Sequence, residues 1–366
     1  MDLAKRLRSA RKNSGLTQQQ VCERCGIDDS SLSSFERGGS EPRLAQLDKL
    51  AEVYHLPLSY FFQESQPKAQ VVMWRDKPDN EKEIRAQFLG LCRQYRQLEI
   101  WTGEISENSL LSLDMSYHTL RYAEAREMAS KARSLMGLGE RPGESLYCVL
   151  QEVYGVKIFH MDLGGTGAAA CAVSPEFGQA ILLNKRSARW RRNHDLAHEV
   201  FHLLTWEFFK HAEGICEPTK QEEKLATCFA GNLLLPTDAV RAAIDKVTDN
   251  QGRIPFSKLD KVAREFDVSL ESLFWRMHFL YGMFDEAKTK NLTDRAREYL
   301  KTAPSRHDPE PPLFPDRYRA LAIRALQDGA ISVGRYAKFL KISRKEAERY
   351  IGGREPDYAQ VPAPVA

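Results

Sequence analysis

The chain has 366 residues, 42% of them hydrophobic, and a formal net charge of +3. That length allows two or three domains with cores of their own, and the near-balanced charge excludes bulk nucleic-acid affinity, so any DNA binding must come from a local surface. No apolar run approaches the ~20 residues that span a bilayer, the N-terminus lacks a secretory apolar segment, and seven scattered cysteines fit reduced thiols, so a cytoplasmic protein with no membrane partner is expected. Residues 2–62 read as five short helices, with Thr17 and Asp28 or Asp29 as caps and glycines at the stops. Cys22-x-x-Cys25 lies inside one of them without a second ligand pair and reads as packing.

Residues 63–77 are aperiodic and read as a linker. A long charged helix over 79–102 carries the apolar stripe Ile84, Phe88, Leu91, Tyr95, Leu98, which is either a core face or a surface that pairs two subunits of a homodimer. From about 120 the pattern becomes α+β. Helices are expected over 121–135 and from 143 to 154, and strands over 156–161, 168–173 and 179–184. Further helices follow over 191–207, 220–235, from 236, and over 257–280. Residues 302–315 are Pro-rich and charged. Residues 316–353 form a small basic helical tail, with Ser332 and Ser343 as caps.

The expected fold class is multidomain and mainly α, with a small α+β part holding a small β-sheet. Five units are expected. They are an N-terminal five-helix domain (1–65), a linker with a long helix (66–119), the α+β domain (120–285), a second linker (286–315) and the basic tail (316–366).

His198-Glu199-Val200-Phe201-His202 reads H-E-x-x-H within an apolar helical run. Positions i and i+4 share one helix face, so both imidazoles reach one metal ion. Glu199 lies beside the first ligand, where a carboxylate can take a proton from water at the metal. This pattern points to a zinc-dependent peptide hydrolase. A third, carboxylate ligand is available from Glu222 or Glu223, about twenty residues further on. Two His and one carboxylate suit Zn²⁺, and also Mn²⁺ or Fe²⁺.

Two resemblances add to this. Residues 16–38, LTQQQVCERCGIDDSSLSSFERG, resemble the helix-turn-helix of the XRE (Cro/cI-like) repressor family, over about residues 3–62. The resemblance implies that the third helix docks in the major groove of operator DNA, with Asp29, Ser30, Ser31 and Ser34 at its exposed start. It also implies that Gln18 contacts a phosphate at a helix N-terminus. Lys5, Arg6, Arg8, Arg11 and Arg37 are further candidates for phosphate contacts. Arg, Asn and Gln, the bidentate base readers, are missing from 29–34, and Asp28 and Asp29 bring negative charge.

The run LAHEVFHLL (196–204) and the segment from Glu223 through Ala226, Phe229, Ala230, Leu233 and Leu234 to Pro236 resemble the ImmA/IrrE metallopeptidase family, over about 120–280. That resemblance implies a zincin-like domain with Glu223 as third ligand, Glu199 as base, and a protein substrate of the XRE-type repressor class. Thr227 stands where the family has Asn or Asp. His278 and Tyr281 come late enough to fold back over the site, and His278 is the candidate transition-state stabiliser; ordinary core or surface roles are the alternative. His194 either donates to a carboxylate behind the site or sits on the helix surface, and His211 shows no partner pattern. The strands over 168–173 and 179–184 are candidates for binding an extended peptide if one is an edge, with Gly164, Gly165 and Gly167 as a lip. The tail reads as a second helix-turn-helix whose basic face meets DNA, an acidic partner or only solvent.

Three functions fit: a DNA-binding transcription regulator that cleaves a partner repressor in a stress or mobile-element response, a non-cleaving sensing repressor, and an antitoxin-like interaction protein.

Overall fold

The computed structural model describes residues 2–63, 70–106, 108–110, 119–165, 167–209, 211, 217–282, 286–302 and 308–349. The N-terminal domain comprises α1 (Leu3–Asn13), α2 (Gln18–Cys25), α3 (Asp29–Arg37) and α4 (Leu44–Val53). The fifth expected helix is a 3₁₀ turn, Leu58–Phe62. Thr17 and Gln20 close a capping box on α2, and Asp28 caps α3. Gly26 and Gly38 end these helices in the left-handed region, which glycine adopts without steric cost. Leu7, Val21, Leu32, Phe35, Leu50 and Phe61 form the core, and Cys22 and Cys25 pack with them as free thiols. Glu36 is buried and accepts two hydrogen bonds from Arg11, at 2.6 and 2.9 Å, which ties α1 to α3.

The remaining chain builds two helical layers around one sheet. Its strands are β1 (Val72–Trp74), β2 (Lys157–Met161), β3 (Ala169–Ser174) and β4 (Gly178–Asn184), in the order β1-β3-β4-β2. β2 runs parallel to β4; the other two pairings are antiparallel. Strand alternation sends Met73, Ile158, Cys171 and Ile181 to one core and Trp74, Phe159, Ala172 and Leu182 to another. Both faces are thus covered, so nearly every strand residue is buried.

On the first face lie α6 (Tyr122–Leu135), α7 (Pro142–Glu152), α8 (Arg189–Leu204), α9 (Lys220–Leu234), α10 (Thr237–Val247), α11 (Phe256–Glu265) and α12 (Leu270–Tyr281). On the second lie α5 (Glu81–Thr102) and the tail helices α14 (Asp316–Gln327), α15 (Val333–Leu340) and α16 (Arg344–Arg349). The stripe on α5 is a core face: Ile84, Phe88, Leu91, Tyr95 and Leu98 are all buried there. Tyr95, Phe159 and Tyr318 meet edge to face with centroids 5.4–6.1 Å apart.

Three expectations are corrected here. The segment read as a linker over 63–77 contains β1, whose three residues are too few to show a strand period. The linker over 286–315 contains α13 (Glu286–Thr302), whose polar surface hid a stripe of Thr289, Thr293 and Ala296 that is buried beside α12. The tail is fastened to the sheet layer, and much of its basic charge is engaged. Arg317 donates to Glu99 at 2.9 Å, Arg324 pairs with Glu104, Arg335 lies over Trp101, and Lys338 reaches Glu52 of the N-terminal domain at 3.1 Å. The expected tail residues beyond 349 lie outside the described residues.

The N-terminal domain docks on α5 at Gly90. A Cβ there would lie 2.8 Å from the Cβ of His55, so only glycine allows this approach. Arg24 and Glu83 pair beside it at 2.8 Å. Among the described residues no helix is long and apolar enough to cross a membrane.

Candidate metal centre

α8 presents Leu196, Ala197, Val200, Phe201 and Leu203 to the core, and this packing carries His198, Glu199 and His202 into full burial. α9 packs against α8 and begins with a capping box between Thr219 and Glu222. That box fixes the first helical turn and so places Glu223 opposite the two histidines. Glu223 Oε2 lies 3.1 Å from His198 Nε2, and its Oε1 lies 3.4 Å from His202 Nε2. One ligand atom from each residue falls within 4.8 Å of the others.

These approaches are close without being hydrogen bonds. The Nε2 atoms of both histidines and Oε1 of Glu223 are buried and have no hydrogen-bond partner among the described residues. Buried polar atoms are ordinarily paired. Three orphaned donors of lone pairs that converge on one point fit a cation, and two imidazoles with one carboxylate are a zinc-type set that leaves a fourth position open.

Glu222, the neighbour of the third ligand, has a separate role. Its buried Oε1 accepts from His202 Nδ1 at 3.0 Å and from His211 Nε2 at 2.8 Å. A carboxylate only accepts, so His202 keeps a proton on Nδ1, and its Nε2 faces Glu223, where either a proton or a metal ion can be held. Burial pulls the His202 pKa down, but Glu222 and Glu223 outweigh it and raise it to about 9. The same carboxylates favour a cation at this place. Burial pushes Glu223 up, yet the two imidazoles beside it hold it at about 2. Glu222→Ala is therefore expected to weaken metal binding by about 10–100-fold with His198, His202 and Glu223 intact. Competition with a metallochromic chelator measures it, and unchanged affinity would remove Glu222 from the site.

Glu199 is buried one residue from His198, and burial raises its carboxyl to about 7, the range of a general base that works near neutrality. Thr227 donates to the carbonyl of Glu223 at 2.9 Å; the orienting carboxylate is Glu222 instead. His211 thus gains a partner that no local pattern announced, because it lies outside the regular helices. Glu222 was legible as a candidate ligand, and only the packing of α9 separates its role from that of its neighbour.

A cavity of about 1190 Å³ opens beside the trio, lined by Glu223, His194, Arg75, Trp190 and Trp275 among others. His194 lies on its wall, and burial holds it neutral, down to about 3. Among the described residues no carboxylate hydrogen-bonds it; the neighbouring Asp195 pairs with Arg75 at the end of β1. His278 does not line this cavity. Its ring packs against Trp275 and Phe279, which do. Tyr281 lies under Arg241. The strands expected to offer an edge, β3 and β4, are both interior, and the edges are β1 and β2. Asn184 ties down the carbonyls of Gly164 and Gly167, and that turn lies away from the cavity.

In the N-terminal domain Asp29 and Ser30 are exposed at the start of α3, and Ser31 is half-buried. Asp28 accepts from the Ser30 hydroxyl at 2.6 Å and from the Ser31 N–H at 2.9 Å, which hold it at about 2. The Ser34 hydroxyl accepts from Ser40, and Gln18 donates to Glu36 at 3.0 Å. Arg37 is exposed. Arg6 is buried and donates to the Tyr60 carbonyl, and Arg11 holds Glu36, so neither projects as a free phosphate contact.

Residues 7–61 match the helix-turn-helix family model, and residues 151–278 match the model described as IrrE N-terminal-like domain, of the peptidase M78 family. The HTH-type transcriptional regulator PuuR of Escherichia coli is 38% identical over 74 residues, which are 20% of this chain and 40% of that one. The HTH-type transcriptional regulator ImmR of Bacillus subtilis is 37% identical over 60 residues, 16% of this chain and 47% of its own length. The chain thus spans less than half of either relative. A Mycobacterium tuberculosis transcriptional regulator of known structure covers 51% of each chain at 15% identity, with a TM-score of 0.32, too low to bear on the fold. The chain joins an XRE-type helix-turn-helix domain to an IrrE N-terminal-like domain of the peptidase M78 family.

Proposed function

We propose that this protein is an operator-binding transcription regulator whose metal centre hydrolyses a peptide bond in a partner protein of the XRE-type repressor class. The observation that carries the reading is the convergence of three orphaned ligand atoms beside a buried carboxylate, at the wall of a cavity. His198, His202 and Glu223 would hold the cation, for which zinc is the best match to the donors. Bound there, it polarises a carbonyl and acidifies water. Glu222 holds the His202 ring in the tautomer that ligation needs. Glu199 receives a proton from water and returns it to the departing amine. His194 and Arg75 are cavity-lining donors available to a substrate carbonyl, in place of His278. Incubation with candidate repressors, read by mass spectrometry, tests the reading; intact repressors throughout would sink it. A second reading, a repressor that senses a ligand without turnover, draws on the size of the cavity.

For the N-terminal domain, the first turn of α3 would face the major groove. Lys5, Arg8 and Arg37 remain exposed for phosphates once Arg6 and Arg11 are set aside. Affinity for random-sequence duplex DNA is then expected to fall with salt at a log–log slope of about −3 per chain, near −0.9 for each phosphate contact. Fluorescence anisotropy across a salt series measures the slope. A slope near zero would make this domain a protein-binding module.

A further inference from the structure

The cavity beside the metal trio is walled by four helices and shows a consistent chemistry. Trp190 and Trp275 are half-buried in its wall, and Phe279 is 70% exposed, stacked on Trp275 at 6.4 Å between centroids. Large aromatic surfaces left open beside a site are binding surfaces more often than accidents. Arg126, Arg191 and Lys224 add positive charge from α6, α8 and α9. The carboxylates in the lining do not cancel it. Asp195 is paired with Arg75, Glu271 with Arg297 at 3.3 Å, and Glu223 faces the two imidazoles. Among the described residues no carboxylate pairs with Arg126 or Lys224, and Arg191 lies 4.0 Å from the already paired Asp195. Arg75 and Arg276 are the exceptions among the cations: Arg75 holds Asp195, and Arg276 is buried and held by Leu235, Asn232 and Thr237.

We propose that this groove takes a peptide segment that carries aspartate or glutamate beside an aromatic residue, and holds it against the His198–His202–Glu223 face. The volume of about 1190 Å³ exceeds the ~300–1,000 Å³ of most small-molecule sites, which favours an extended chain. Guanidinium groups pair carboxylates through two parallel hydrogen bonds, and the aromatic wall takes the ring. Single-stranded nucleic acid offers rings and negative charge too, but it needs a continuous basic groove along its backbone, whereas Arg126, Arg191 and Lys224 are separated by apolar and carboxylate residues of the lining. The proposal rests on the peptidase reading for the scissile bond, while binding itself needs no turnover.

The test uses zinc-loaded full-length Glu199→Gln protein and fluorescein-labelled decapeptides containing Asp-Asp-Phe-Glu or its uncharged counterpart Asn-Asn-Phe-Gln. Anisotropy at low salt is expected to show about tenfold tighter binding of the acidic peptide, the scale of two exposed charge pairs. The preference disappears in the added pair Arg126→Glu and Lys224→Glu, with zinc content unchanged. Trp275→Ala weakens both peptides alike. Equal binding of the two peptides, or an acidic preference that survives the charge reversal, overturns the proposal. Tighter binding of oligo-dT than of the acidic peptide also overturns it and assigns the groove to nucleic acid. Acidic-peptide binding without cleavage by the wild type would remove the hydrolase and keep the groove. Cleavage of another substrate without acidic preference would do the reverse.

Discussion

Glu199→Gln is expected to lower the proposed peptide-bond hydrolysis by about 10²–10⁴-fold, the contribution of a positioned general acid–base group. The substitution keeps the side-chain volume in a fully buried position and removes only the ability to take a proton. The three ligand side chains are untouched, and His202 remains held by Glu222. Metal analysis should therefore still find about one zinc per chain, as the one three-ligand set among the described residues requires, whereas His202→Ala should lose it. Binding of DNA, which belongs to a separate core, should be unchanged. Cleavage at the wild-type rate by the glutamine variant would end the hydrolase reading. Zinc lost along with cleavage would mean that Glu199 supports the ligands and is not the base.

Tyr318→Ala is expected to cost about 3–5 kcal/mol, the range for removing a large buried aromatic side chain, against total stabilities of ~5–15 kcal/mol. Tyr318 is fully buried between Tyr95, Phe159 and Phe314, although it lies in a segment that reads as a separate tail. Urea unfolding followed by the fluorescence of Trp74 and Trp101, which sit in and against this core, measures the loss. A chain that ends at residue 315 should be destabilised at least as much, because Tyr95 and Phe159 lose the ring that covers them. An unchanged urea midpoint for Tyr318→Ala would show that the tail is an appendage.

The ion cluster under the tail gives the same result in electrostatic terms. Glu99 is buried and accepts from Lys157 at 3.0 Å, Arg317 at 2.9 Å and Arg96 at 3.2 Å. Removing one member would leave a buried charge without its partner, which is costly, although the intact cluster contributes little net stability. Its members come from α5, β2 and α14, so no single segment of sequence contains it.

What the sequence determined by itself is the local chemistry. The i and i+4 histidines with Glu199 between them, the caps at Thr17, Asp28 and Ser332, and the apolar stripe on α5 all follow from helical period and from hydrogen bonds that span one turn. The structure places each as its residues imply. Rules of that reach cannot say what lies across a core. Tertiary packing alone sets β1 beside β3, an antiparallel neighbour from a segment nearly a hundred residues earlier in the chain. It makes Glu222 the partner of His202 and His211 while Glu223 faces Nε2 of His198 and His202, although the two glutamates are adjacent and chemically alike. It also turns His278 away from the cavity and His194 toward it. Those choices depend on which faces of α8, α9 and α12 are buried together, and that is a property of the assembled layers.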